Sequence, residues 1–140
     1  MAEARVSRLI PAAPDKVWKT LTSREGMKAY MMGAEVDADW RVGGQIRMHG
    51  EYQGKPFEDR GEVRSFEPER RLAYTHESGS APGKPHLVTF ELTPRGEGTE
   101  VTVTQAAADG AEHPEHAKNR AMYEQTWAKM LEGLEKAVPT

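Results

Sequence analysis

The chain contains no cysteine, so a disulfide framework, a thiolate metal site and a Cys nucleophile are all excluded. No apolar run approaches the roughly 18 to 20 residues that a membrane-spanning helix needs. Charge of either sign is barely in excess: 19 Lys and Arg against 22 Asp and Glu leave a net charge of −3. That is no electrostatic footprint for nucleic acid or an anionic membrane. Bulky apolar residues are scarce, with Leu, Ile, Val and Phe numbering 21 of 140. Beside a high net charge this would suggest disorder. Here the charge is small, and seven Met, three Trp and four Tyr add to the apolar stock, so periodicity decides. The phosphate loop, GxGxxG, HExxH and GxSxG patterns are absent too.

What is present is a change of period along the chain. Ala4 to Ile10 reads as a strand. Pro14 suits the first position of a helix, and Val17, Trp18 and Leu21 make its apolar stripe. Ser23 can cap a second short helix reaching about Tyr30, although Gly26 counts against it. From Ala34 the period is two. Ala34, Val36, Ala38 and Trp40 share one phase, as do Ile46, Met48, Gly50 and Tyr52, then Phe57, Asp59, Gly61 and Val63. Leu72, Tyr74 and His76 follow, then Val88, Phe90 and Leu92, then Val101, Val103 and Gln105. Turns are expected at Gln53 to Pro56, Glu67 to Arg70 and Pro94 to Gly98, and a Gly- and Pro-rich loop spans Glu77 to His86. After His113-Pro114 the period returns to 3.6, and Tyr123, Trp127, Met130, Leu131, Leu134 and Val138 form one stripe to about Ala137.

These elements predict an α+β domain over residues 1–140. An N-terminal strand and two short helices precede a six-strand antiparallel meander, and a long C-terminal helix covers its apolar face. A curved sheet around one helix leaves space between them, and such spaces take small molecules.

Register arithmetic places polar residues in that space. Pairing Tyr52 with Phe57 puts Met48 opposite Gly61 and Gly50 opposite Asp59. Pairing Phe66 with Arg71 puts His76 opposite Gly61, and Val88 falls opposite Gln105. Asp59, His76 and Gln105 thus sit in a phase that should be apolar, beside glycines that leave room. They read as polar anchors for a ligand in a pocket bounded by Trp40, Met48, Phe57, Tyr74, Phe90, Met122, Tyr123 and Trp127. The competing readings are a solvated rim and an acid–base pair of His76 with Asp59. His113 and His116, with Glu112 and Glu115, lack a deep cluster and read as solvated residues. No metal or cofactor is expected.

The order and spacing of Pro14-Asp15-Lys16-Val17-Trp18, Trp40-Arg41-Val42-Gly43-Gly44, Gly61-Glu62-Val63, Glu67-Pro68-Glu69-Arg70-Arg71-Leu72 and Thr126-Trp127 resemble the START-like helix-grip superfamily. Within it they resemble the branch named for the activator of the heat-shock protein 90 ATPase. The resemblance implies the helix-grip fold and supplies no shared catalytic residues.

The expected function is therefore non-covalent binding of a small hydrophobic or amphipathic molecule. The alternatives are a cyclase- or hydrolase-type enzyme in the same cavity, or a co-chaperone-like interaction module, with a chaperone partner the weaker expectation. Neither nucleic acid nor membrane insertion is expected, and homodimerisation is left open. The opening Met-Ala-Glu-Ala-Arg lacks the basic and apolar regions of a signal peptide, so a cytoplasmic location is expected.

Overall fold

Period-two stretches form strands and 3.6-period stretches form helices throughout. The computed structural model describes residues 3–31, 33–52, 54–79, 85–108 and 114–139. The chain runs β1 (Ala4–Ile10), α1 (Pro14–Thr22), α2 (Arg24–Tyr30), β2 (Glu35–Ala38), β3 (Gln45–Tyr52), β4 (Lys55–Glu67), β5 (Arg71–His76), β6 (His86–Arg95), β7 (Gly98–Ala107) and α3 (Pro114–Ala137). The strands form one antiparallel sheet in the order β1-β7-β6-β5-β4-β3-β2. The N-terminal strand thus joins the far end of the meander.

One face of this sheet is buried and the other wet. Val36, Ile46, Met48, Val63, Leu72, Tyr74, Val88, Phe90, Leu92, Val101 and Val103 are buried. Arg47, Glu51, Glu58, Arg60, Glu62 and Arg64 alternate with them and are exposed. That is the division an antiparallel sheet with one solvated side requires. Trp127, Leu131 and Leu134 of α3 are buried, as is Val138 just beyond it, and α3 packs against α2, β1 and β7. Polar ties fix α3 laterally. Arg8 meets Glu135 at 2.8 Å, and the Glu124 carboxylate accepts the Arg5 backbone N–H at 3.0 Å.

The two short helices are separated by a cap. Ser23 Oγ accepts the Gly26 N–H at 3.0 Å, satisfying one of the first orphan donors of α2. Gly26 supports the helix instead of weakening it. A Cβ there would lie 1.9 Å from the Thr20 carbonyl oxygen, so only glycine lets α2 begin against the end of α1.

Two registers differ from the sequence reading. Tyr52 pairs with Lys55, so Met48 faces Asp59, Gly50 faces Phe57 and Ile46 faces Gly61. Gly54 at φ +79° permits a tighter turn than Gln53 to Pro56. The two-residue shift leaves every side chain on its expected face. Between β4 and β5, Phe66 pairs with Leu72, and a bulge separates Val63 from Ser65. Beyond it Val63 pairs with Tyr74 and Arg60 bridges Glu77, which restores His76 to the level of Gly61. Val88 pairs with Gln105 as expected. Trp40 lies beyond β2, which ends at Ala38.

Candidate functional site

The sheet has two unlike ends. One holds the β4–β5 and β6–β7 turns, α1 and Trp40. The other gathers the end of β3, the start of β4, the end of β5, the start of β6 and the N-terminal half of α3. Here alternation turns Phe57, Asp59, Tyr74, His76 and His86 to the same face.

His76 Nε2 lies 2.8 Å from Asp59 Oδ2, and Asp59 Oδ1 accepts the Gly79 N–H at 3.1 Å. A carboxylate only accepts, so His76 Nε2 carries the hydrogen, and Nδ1 is the lone-pair nitrogen of the neutral ring. The pair is half-withdrawn from water, with side-chain exposure of 32% for His76 and 15% for Asp59. His86 sits directly across from His76 on β6. Its ring meets Tyr123 edge-on, with centroids 5.7 Å apart.

Behind this mouth lies an aromatic interior. Phe90 is fully buried at its centre. Trp127 and Tyr30 meet Phe90 edge-on at 5.6 and 6.4 Å, and Tyr74 stacks beside it at 6.4 Å. Trp127 Nε1–H donates to Gln105 Oε1 at 2.6 Å. Gln105 therefore acts as a strut between β7 and α3, which explains a polar residue in an apolar phase. Burial raises the phenol pKa of both Tyr74 and Tyr30, with Tyr74 adding to the effect on Tyr30. Both stay protonated through ordinary pH.

The expected pocket residues divide accordingly. Met48, Tyr74, Phe90, Gln105 and Trp127 are buried together, while Asp59, His76, Phe57 and Tyr123 sit around the mouth half-buried. Met122 is 55% exposed. Trp40 stands apart at the other end of the sheet, stacked on Phe66 at 5.9 Å, with its Nε1–H donating to the Thr22 carbonyl at 3.0 Å. The glycines do not supply the room that the sequence reading gave them. A Cβ on Gly61 would lie 1.8 Å from the Thr75 carbonyl oxygen, and one on Gly50 would lie 3.2 Å from the Phe57 ring. Gly61 serves the close approach of β4 to β5, and Phe57 covers Gly50.

His86 is the residue that sequence reasoning missed. It continues the Val88, Phe90, Leu92 phase, and that signal was available. Its place at the end of a Gly- and Pro-rich loop hid it. His113 lies outside the described residues, as do Glu112 and the side chains of Glu115 and His116. Among the described residues, no group of three His, Asp or Glu could hold a metal ion. No described helix is long and apolar enough to cross a membrane.

Open clefts flank the sheet. One of about 580 Å³ is bordered by Phe57, Asp59, Glu77 and Gly79 at the mouth. Another, of about 670 Å³, is bordered by Asp37, His49, Gly50 and Phe57. A third, of about 360 Å³, lies by Thr22, Met27, Val36 and Trp40 at the opposite end.

A seven-stranded antiparallel sheet, two short helices after its first strand and a C-terminal helix packed on the apolar face define a helix-grip protein of the START-like class. The chain belongs to the family described as Activator of Hsp90 ATPase homolog 1-like protein, which matches residues 11–139. No curated protein matches it. Among solved structures it is similar to ChR145 from Cytophaga hutchinsonii, with 38% identity, a TM-score of 0.75, and 96% of this chain and 91% of that one covered. It is also similar to MLL2253 from Mesorhizobium loti, with 25% identity, a TM-score of 0.78, and coverage of 96% and 95%. DynU16, from the dynemicin biosynthetic locus, shares the fold at 21% identity and a TM-score of 0.78. That match covers 97% of this chain and 46% of DynU16.

Proposed function

We propose that the protein binds a small hydrophobic or amphipathic molecule non-covalently between the sheet and α3. The apolar body would pack near Met48, Tyr74, Phe90, Tyr123 and Trp127. The polar end would meet His76, Asp59 and His86 at the mouth. The observation that carries this reading is the His76–Asp59 pair. It stands on a largely apolar face of the sheet and is pinned by the Gly79 N–H. A few convergent polar groups beside an apolar interior fix a ligand's orientation. The fold's members bind hydrophobic ligands, which agrees with this reading.

Native mass spectrometry of freshly purified protein, with organic extraction of the bound species, identifies the ligand. His76→Ala and Asp59→Ala then test the site. Each should weaken binding of the extracted molecule about tenfold, the scale of one charge-assisted hydrogen bond, while folding stays intact. Unchanged affinity in both variants would remove the proposal.

The 2.8 Å contact also favours a second reading, in which Asp59 orients His76 as a general base. Under it, a hydrolase- or cyclase-type reaction occurs in the same space. His76→Gln would then abolish turnover while leaving ligand affinity nearly unchanged. The pair's partial exposure fits a binding mouth better than a sealed reaction chamber.

A further inference from the structure

The cleft at the Trp40 end of the sheet combines an apolar side with an unmatched positive charge. Met27, Val36, Ala38 and Trp40 supply the apolar side of its roughly 360 Å³. Trp40 adds only carbon surface, because its Nε1–H already donates to the Thr22 carbonyl at 3.0 Å. Phe66, stacked on the indole at 5.9 Å, holds the ring in place. Such a volume lies at the small end of ligand pockets and suits one bicyclic ring system.

Two carboxylates line the cleft, and each already holds a guanidinium. Arg24 meets Asp37 at 3.3 Å, and Arg41 meets Asp39 at 2.7 Å. Arg47 lines the same cleft, and its exposed guanidinium makes no ion pair or hydrogen bond with any described residue. In register Arg47 stands between Asp37 on β2 and Arg60 on β4. A like charge directly across is unfavourable, and a bound anion would relieve it. The backbone adds a second donor. β2 is an outer strand of the sheet. The Asp39 N–H donates to the Gln45 carbonyl at 3.0 Å, so alternation turns the Ala38 N–H away from β3, toward the open side of β2. No described residue accepts it.

We propose that this cleft is a second binding site, which takes a small aromatic carboxylate. The ring of an aryl or indolyl acid packs beside Trp40 and Met27, and its two carboxylate oxygens accept from Arg47 and the Ala38 N–H. Charge-assisted bonds of this kind are the strong ones. A neutral arene leaves Arg47 unmatched, and a short aliphatic acid leaves the indole surface uncovered. An extended peptide fits less well, because β2 has only four residues along which to pair. The site is separate from the space between the sheet and α3 and does not depend on it.

The probe is 2-naphthoate, titrated into the ¹⁵N- and ¹³C-labelled protein and followed by NMR. Saturable shifts are expected at the Trp40 indole N–H, the Ala38 amide and the Met27 methyl. The uncharged 2-naphthamide should bind about tenfold more weakly, the scale of one charge-assisted hydrogen bond at an exposed site. Arg47→Gln should weaken naphthoate by a similar factor. Arg64→Gln, a change on the outer face at a residue paired with Glu62 and outside the cleft, should leave naphthoate binding as it is. Absence of saturable shifts at Trp40 up to about 10 mM naphthoate would overturn the proposal. So would shifts that appear at His76 and Trp127 instead, or equal affinity of the wild type for the acid and the amide. Equal weakening by Arg47→Gln and Arg64→Gln would reduce the effect to general charge attraction and overturn it as well.

Discussion

The bond between Trp127 and Gln105 fastens the long helix to the sheet, and its loss should follow a definite arithmetic. Both residues are buried, and Trp127 Nε1 lies 2.6 Å from Gln105 Oε1. Gln105→Leu leaves the indole N–H desolvated without an acceptor. That costs about 1–3 kcal/mol, partly offset by the apolar gain of leucine. Trp127→Phe strands the Gln105 amide and also opens space beside Phe90, for about 2–4 kcal/mol. With both changes made, neither polar group remains, and only the lost volume should count. The two changes should therefore couple by about 1–1.5 kcal/mol, the double variant being more stable than the sum of the singles implies. For a chain of this length that is about 3–5 °C in thermal midpoint. Urea titrations of the four proteins, followed by far- and near-UV circular dichroism, measure the coupling. Additivity within about 0.3 kcal/mol would refute the claim that this hydrogen bond ties α3 to β7.

Two further outcomes follow from other parts of the structure. Gly61→Ala would place a Cβ 1.8 Å from the Thr75 carbonyl oxygen, so the β4–β5 backbone must move. A loss of about 3 kcal/mol or more is expected in denaturant titration, and a loss below about 1 kcal/mol would contradict the close approach. The Lys28 ammonium, bonded to Glu35 at 2.8 Å, holds the Glu35 carboxyl below its ordinary range. In an NMR pH titration Lys28→Met should move the Glu35 midpoint upward, and an unmoved midpoint would show the ion pair absent in solution.

Element order was legible because alternation and helical spacing are local properties, and the apolar residues here follow one or the other without conflict. Which face each side chain takes was legible for the same reason. Register was less so. Nothing in Gln53-Gly54-Lys55-Pro56 separates a four-residue turn from a two-residue one. Only the positive φ of Gly54 selects the shorter turn. The bulge at Val63–Ser65 was invisible because alternation fixes which face a side chain takes and not how a strand aligns with its neighbour. Trp40 fitted the strand phase by parity alone, yet the Gly43-Gly44 loop carries the chain away after Ala38 and leaves its ring on Phe66. At the site, Asp59 and His76 stood out as polar residues in an apolar phase, and the structure joins them directly. Gln105 stood out by the same rule but serves Trp127, because a sequence pattern marks an anomalous polar residue without naming its partner.

The central claim is that a small molecule occupies the space between the sheet and α3 with its polar end at the His76–Asp59 mouth. The most direct measurement is an ¹H–¹⁵N and ¹H–¹³C NMR titration of the protein with the molecule extracted from it. Saturable shifts are expected at His76, His86, Gly79, the Trp127 indole N–H and the Tyr74 ring, with Arg47, Arg60 and Arg64 on the outer face unmoved. Shifts confined to the outer face or to the cleft beside Trp40, with the His76 and Trp127 signals unchanged at saturation, would contradict it.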